Sequence, residues 1–277
     1  MDGATERASW CAVMELRDFA QFHLPALEAD EIRFNVQIAI ITSVVKETPP
    51  GFSYWTLGAP GHCAIRSPGR AILLGNLERI ECRELVQLVR GIDYPGVIGA
   101  DKTAHWFAEH ATEMGTKFYD PIPQRLYVLF RPPHYPGALG SPRAVSITDA
   151  PLLFEWLAAF HREVVPHDPP PEKANVEQMI GRGGFLFWTI NDEPVSVAAI
   201  SRRLRRTAAI APVYTPPEHR ERGYAGSVTA AVADRIFAEG KTAACLYTNL
   251  RNAASNRCYA KIGFRPYCDA SHYLRTR

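Results

Sequence analysis

The chain has 277 residues, 47% of them hydrophobic and 22% charged, with a formal net charge of +2. That length makes one large domain or two smaller ones, and the composition excludes a disordered or fibrous chain. The mild charge does not call for a nucleic-acid partner, and no apolar run approaches the ~20 residues of a membrane span.

Residues 1–21 are interrupted by Asp2, Glu6, Arg7, Glu15, Arg17 and Asp18, so they are unlike a secretory signal. The six cysteines, Cys11, Cys63, Cys82, Cys245, Cys258 and Cys268, form no C-x-x-C and read as free thiols of a reducing, cytoplasmic compartment. The run 52–57 (Phe-Ser-Tyr-Trp-Thr-Leu) predicts a strand, followed by strands at 62–66 and 71–76 on either side of Ser67-Pro68-Gly69. A helix at 81–90, a short strand at 96–99, a helix at 101–114 and a strand at 125–130 complete the first half. The stretch 131–142, with four prolines and two glycines, continues neither a helix nor a central strand. It predicts a linker dividing the chain near residue 136, into domains of 1–136 and 137–277.

Beyond it, 144–147 predicts a strand. Asp149 can cap a helix through Leu152, Leu153, Trp156, Leu157 and Phe160. A weaker helix is expected at 172–180, after the proline-rich loop 166–171. Strands at 185–190, 195–202 and 208–215 form an antiparallel meander. A long helix over 224–239 stops at Gly240, a strand covers 243–248, and a helix over 253–262 stops at Gly263. Two short strands, 264–267 and 271–274, close the chain. The whole is of the α+β class. The run 52–57 aligns with 185–190, 133 residues apart, and the order of elements repeats. That suggests a weak internal duplication, the alternative being two unrelated α+β segments.

The residues that carry chemistry begin at the third strand of the second half. There Ala211-Pro-Val-Tyr-Thr-Pro-Pro-Glu-His-Arg-Glu-Arg-Gly-Tyr-Ala225 leads a strand through a loop into a helix. Successive backbone N–H groups and the positive end of the helix dipole make such a loop an anion cradle. Gly223 lets the backbone approach a phosphate, Ala225 keeps the helix start small, and Arg220 and Arg222 add charge. The sequence has neither the P-loop pattern nor the dinucleotide fingerprint. Taken alone, the same residues also describe a plain strand-to-helix turn.

A second stretch follows in which Asn252, Ser255, Asn256, Tyr259, Gly263 and Phe264 give N-x-x-S-N-x-x-Y-x-x-x-G-F. With both stretches in order, residues 213–264 resemble the GNAT-type N-acetyltransferases. The resemblance implies a mixed, mostly antiparallel sheet flanked by helices and, with the duplication, two tandem halves of that fold. It implies acetyl-CoA as co-substrate and no metal. Val213, Tyr214 and Thr215 would pair with the pantetheine arm, one of their backbone N–H groups holding the oxyanion. Arg220, Glu221, Arg222, Gly223, Tyr224, Ala225 and Gly226 would hold the pyrophosphate. Asn252 and Asn256 would flank the cofactor, and Tyr259 would serve the departing thiolate. For Asn252 a helix cap is an equally complete reading, and for Tyr259 a core aromatic is the alternative.

The acceptor side is less legible. An amine nucleophile must lose a proton, yet 208–215 contains no acid. Glu163 is the candidate base, or else a solvated helix-end charge. The expected partner is an amine on a small molecule or peptide, with a homodimer as a further option and neither nucleic acid nor membrane. His105, His110, His161 and His167 read as ordinary histidines, and Arg202, Arg203, Arg205 and Arg206 as a solvated strand-turn-strand. In the first half, Glu78, Glu81 and Glu84 occupy the place of the phosphate loop, which is electrostatically wrong for an anion, so that half is expected not to bind the cofactor. The overall expectation is an N-acetyltransferase. A non-catalytic acyl-CoA-binding protein and, more remotely, a nucleotide-binding module are the alternatives.

Overall fold

A computed structural model describes residues 14–276; Cys11 lies outside them. Compactness divides the chain into two units. One runs to Arg125 and takes in the residues from Cys268 onward; the other is Leu126–Tyr267.

The first unit opens with two helices, α1 (Leu16–Ala29) and α2 (Asn35–Val44), for which the sequence pattern suggests no element. Phe19, Leu27, Ile38 and Ile41 on them are buried, but Pro25 lies inside α1 and α2 carries apolar side chains on most of its surface, which blurs the helical period. A meander follows, β1 (Ser53–Thr56), β2 (Cys63–Arg66) and β3 (Ile72–Leu74). Then come α3 (Arg79–Leu88), β4 (Gly96–Ala100) and α4 (Asp101–Glu113). β1, β2 and β3 are antiparallel neighbours and β3 runs parallel to β4. Ala270–Leu274 of the last strand, β11 (Arg265–Leu274), pairs antiparallel with β4. One long strand thus replaces the two expected at 264–267 and 271–274, because Cys268, Asp269 and Ala270 stay extended.

The strand β5 (Ile122–Leu129) leads into the second unit. It comprises β6 (Ser141–Ala144), α5 (Ala150–Val164), α6 (Lys173–Gly181), β7 (Phe185–Ile190), β8 (Glu193–Arg203), β9 (Thr207–Tyr214), α7 (Tyr224–Ala238), β10 (Ala243–Asn249) and α8 (Ala253–Ile262). The strand order is β5-β10-β9-β8-β7-β6. β6 to β9 are successive antiparallel neighbours, and β9 and β10 are parallel. β6 lies earlier than the expected 144–147, since Ser141–Ala144 pairs with Leu186–Thr189 while Asp149 turns back to accept from Ser146 N–H at 2.8 Å. After β6, the second half repeats the order of the first: helix, helix, three strands, helix, strand, helix, strand.

The boundary falls at Arg125/Leu126, whereas the proline-rich stretch suggests residue 136. The reason is that this stretch packs within the second unit: His134 N–H donates to Ile262 O (2.8 Å) and Trp188 Nε1–H to Leu139 O (2.8 Å). Beneath it α7 buries Gly226, Ser227, Val228, Thr229, Ala230, Ala231, Val232, Ala233 and Ile236. A helix made largely of small residues can sit close to a sheet, and its buried face continues into Leu186, Ile210, Leu246, Tyr259 and Phe264. α5 and α6 cover Phe185, Phe187, Val197 and Tyr214.

Candidate active site

The parallel pair β9 and β10 is hydrogen-bonded in register only at its start, Thr207–Ala209 against Ala243–Cys245. β9 continues to Tyr214 and β10 to Asn249, but among the described residues no pairing between them is found beyond Cys245. β9 remains tied to β8 through Ala198↔Val213 and Val197↔Tyr214. The two strands therefore part toward their C-terminal ends, and one edge of residues 211–214 is left with unpaired backbone groups. Such a gap can take an extended chain of amides as an added strand.

The loop beyond β9 is stiff. Arg220 Nε–H donates to Thr215 O (2.9 Å), and Arg220 Nη2 meets Glu163 Oε2 at 2.7 Å. Tyr214 Oη–H donates to Glu163 Oε1 (3.0 Å), and the Arg220 guanidinium lies 5.8 Å from the Tyr214 ring centre. Burial, with the Glu163 carboxylate second, raises the Tyr214 phenol above its ordinary pKa. Thr215 Oγ1 is 2.8 Å from Ser196 Oγ. The structure thus brings Glu163, Tyr214, Thr215 and Arg220 together, but it turns Arg220 toward Glu163 and the loop's own carbonyl. The ion pair is 42–43% exposed, so its contribution to stability is small; what it does is hold the loop's shape. Both carboxylate oxygens of Glu163 are thus already engaged as hydrogen-bond acceptors.

Past Arg220, Glu221 (φ 65°) and Gly223 (φ 82°) are left-handed, and Gly223 is the N-cap of α7 with no side-chain cap. Glu221, Arg222 and Gly223 are exposed, Tyr224 and Ala225 half-buried, and Gly226 buried. The first N–H groups of α7 are therefore left to a ligand or to water.

On α8, Asn252 Oδ1 accepts from Ser255 N–H at 3.0 Å, which is the capping role. The Asn256 amide Nδ2 donates to Asn252 O (2.7 Å), Asn249 O (3.1 Å) and Leu250 O (3.3 Å). It ties the end of β10 to α8, while its Oδ1 is buried without a partner. Tyr259 is buried with Leu246, Val228 and Phe264, and its phenol is pushed above its ordinary pKa by burial. It stays protonated, as a hydrogen-bond donor must. The sequence pattern does not signal Ser196 as the support of Thr215, since the pair forms only when β8 and β9 come into register.

A separate cleft of about 200 Å³ in the first unit, lined by Val86, Val89, Arg90, Tyr94, Met114 and Arg275 among others, includes none of these residues. Among the described residues no three His, Cys, Asp or Glu side chains are grouped to hold a metal. Among the described residues no helix is long and apolar enough to cross a membrane, and the five described cysteines form no disulfide with one another.

Residues 190–274, which span the parted strands, the loop and α8, match the FR47-like protein family. The fold is the GNAT fold. A GCN5-related N-acetyltransferase from Kribbella flavida is similar over 89% of this chain and 96% of its own, at 16% identity and a TM-score of 0.61. An acetyltransferase of the GNAT family from Colwellia psychrerythraea is similar over 96% and 98%, at 11% identity and a TM-score of 0.58. A tandem GNAT protein from the clavulanic acid biosynthesis pathway is similar over 89% and 92%, at 13% identity and a TM-score of 0.53. No curated protein matches the chain. The GNAT resemblance and the tandem GNAT-like halves expected from the sequence are borne out, and at these identities the solved structures speak for the fold and not for a substrate.

Proposed function

We propose that the second unit binds acetyl-CoA and transfers its acetyl group to an amine. The observation that carries this reading is the parting of β9 and β10 directly before a loop that leaves the α7 N-terminal N–H groups uncapped. The gap suits an extended, amide-bearing arm, and the loop suits a pyrophosphate. The backbone edge of Val213 would orient the thioester, and one of its N–H groups would hold the charge that develops on the carbonyl oxygen.

The acceptor nitrogen attacks the carbonyl carbon, the C–N bond forms, and the C–S bond breaks. Tyr259 would donate its hydroxyl proton or a hydrogen bond to the departing sulfur. With Glu163 held by Arg220 and Tyr214, the proton of the amine would pass to water. Arg220 and Glu163 then act as positioning residues that fix the loop. The acceptor would be an amine on a small molecule or a peptide.

The experiment is calorimetry of the full chain with CoA, then thiol release from acetyl-CoA across a panel of amines. One equivalent of CoA and acceptor-dependent thiol release are expected. A second reading, a non-catalytic acyl-CoA-binding protein, is favoured by the lack of any acid in β9 and by the engagement of Glu163. One equivalent of CoA with no thiol release for any amine would select it. No CoA binding would remove both.

A further inference from the structure

The proline-rich run between β5 and β6 does more than connect two strands. A Cβ built on Gly223 would come 3.5 Å from Ala138 Cβ, and one built on Gly226 would come 2.9 Å from Pro136 Cγ and 3.3 Å from Cys258 Sγ. Pro136 thus sits where α7 meets α8, and Ala138 sits beside the N-cap of α7. The glycines that leave bare backbone at this helix start face protein.

The run is fastened on both sides of that contact. Before it, His134 N–H donates to Ile262 O (2.8 Å), and Tyr135 Oη–H donates to Asp234 Oδ2 on α7 (2.5 Å). After it, Leu139 O accepts from Trp188 Nε1–H (2.8 Å), and left-handed Gly140 (φ 110°) lies tight against Thr189 O. Between the fasteners, Gly137 is left-handed (φ 79°), and a Cβ there would touch nothing within 4 Å. The tip is held from its two ends and is open at its middle.

We propose that residues 134–140 form a strap lying against the Gly223 and Gly226 face of the α7 N-terminus, so that a phosphate-bearing ligand engages this helix start fully only when the tip at 136–138 swings away. The proposal rests on the cofactor reading given above. The latch is Tyr135–Asp234, whose tyrosine is 48% exposed, and Gly137 and Gly140 supply the conformational freedom that a hinge needs. A ligand that binds only the open form has its apparent affinity reduced by the fraction of molecules that are open. Loosening the latch should therefore tighten binding.

The test compares CoA binding by the full-length protein, Tyr135→Phe and Asp234→Ala, each checked for an unchanged far-UV spectrum. Amide exchange over 134–140 is followed with and without CoA. Release of the latch is expected to tighten CoA by about threefold to tenfold, with faster association, and the amides of Gly137 and Ala138 are expected to exchange faster when CoA is bound. Measurable CoA binding with equal or weaker affinity in both variants would overturn the strap while leaving the cofactor reading intact. So would added protection of Gly137 and Ala138 in the complex, which would make the run a fixed wall of the site. Failure of all three proteins to bind CoA would overturn the cofactor reading and the strap with it.

Discussion

The two helices that follow the third meander strand of each half, α3 and α7, begin in opposite ways. At α3 the N-terminal donors are used internally. Glu81 accepts from Glu78 N–H (2.8 Å) and also meets His62 Nδ1 at 2.8–2.9 Å. Gly75, just before the helix, is packed so closely that a Cβ would fall 2.5 Å from Gly61 O and 2.8 Å from Cys63 O. The helix start is filled by the chain's own carboxylate. At α7 the N-cap is a left-handed glycine with no side-chain cap.

The helices that end each half differ as well. Counted from the first residue, α4 presents Ala104 and Phe107 where α8 presents Asn256 and Tyr259, and its N-cap is Ala100 where α8 has Asn252. At α3 the chain's own carboxylate occupies the helix start, whereas at α7 no side chain does. A shared element order therefore carries no function until its helix ends are examined.

The sharpest way to break this contrast is at Tyr259. Tyr259→Phe gives α8 the residue that α4 already has, with the ring and its packing kept. Turnover is expected to fall ~10²–10⁴-fold with the Kd for acetyl-CoA unchanged, because the hydroxyl acts mainly in the transition state. Full kcat in a folded variant, with chemistry limiting, would return Tyr259 to the role of a core aromatic.

The first unit should also show a pH dependence of its own. His23 is buried, accepts from Gly61 N–H at Nδ1 (3.0 Å) and faces Thr56 Oγ1 through Nε2 (3.0 Å). Burial, and secondarily His62, lowers its pKa to about 4. Because the folded pKa lies below the unfolded one, the unfolded chain takes up the proton first as pH falls. The stability is present above about 6.5 and is lost as pH falls toward about 4, by about 3 kcal/mol in all. Urea unfolding between pH 7 and 4 reads this directly, and a profile that stays flat for the first unit would show the histidine to be proton-accessible.

Gly223→Ala tests the α7 start. Its added Cβ would meet only Ala138, at an ordinary 3.5 Å, so the cost comes from the left-handed backbone, about 1–2 kcal/mol. Affinity for CoA is expected to fall about tenfold, as the strained turn draws N–H groups away from the phosphate. Unchanged affinity by calorimetry would separate the loop from the ligand. The smallest effect is expected at Asn252, where Asn252→Ala should cost about 1 kcal/mol in thermal unfolding and leave CoA affinity within about twofold. A large loss of affinity there would make Asn252 a ligand as well as a cap.

Much of the second unit was legible because its signals are local. α8 begins at Ala253 and stops before Gly263 (φ 110°) where the cap residues say it should, and the meander from 185 to 215 follows from its apolar runs and turns. α1 and α2 were not legible, since Pro25 interrupts α1 and the apolar residues of α2 are not confined to one face of the helix. The sequence pattern gives two strands, 264–267 and 271–274, in place of β11, yet Asp269 between them remains in an extended strand and meets Arg125 at 2.6–2.7 Å, a partner 144 residues away.

The sequence by itself determined most elements beyond residue 52, their repeated order and the residue types of the loop, because caps, glycines and apolar periods act over a few residues. Only the tertiary structure decided which of those residues are free to act. It turned Arg220 and Glu163 toward one another, made Asn256 a brace for three carbonyls, and parted β9 from β10. It also laid Pro136 and Ala138 against α7, so that a stretch with the composition of a linker is packed into the second unit. Each of these outcomes depends on groups far apart in the chain finding, or failing to find, a hydrogen-bond partner or a packing neighbour, which no local pattern encodes.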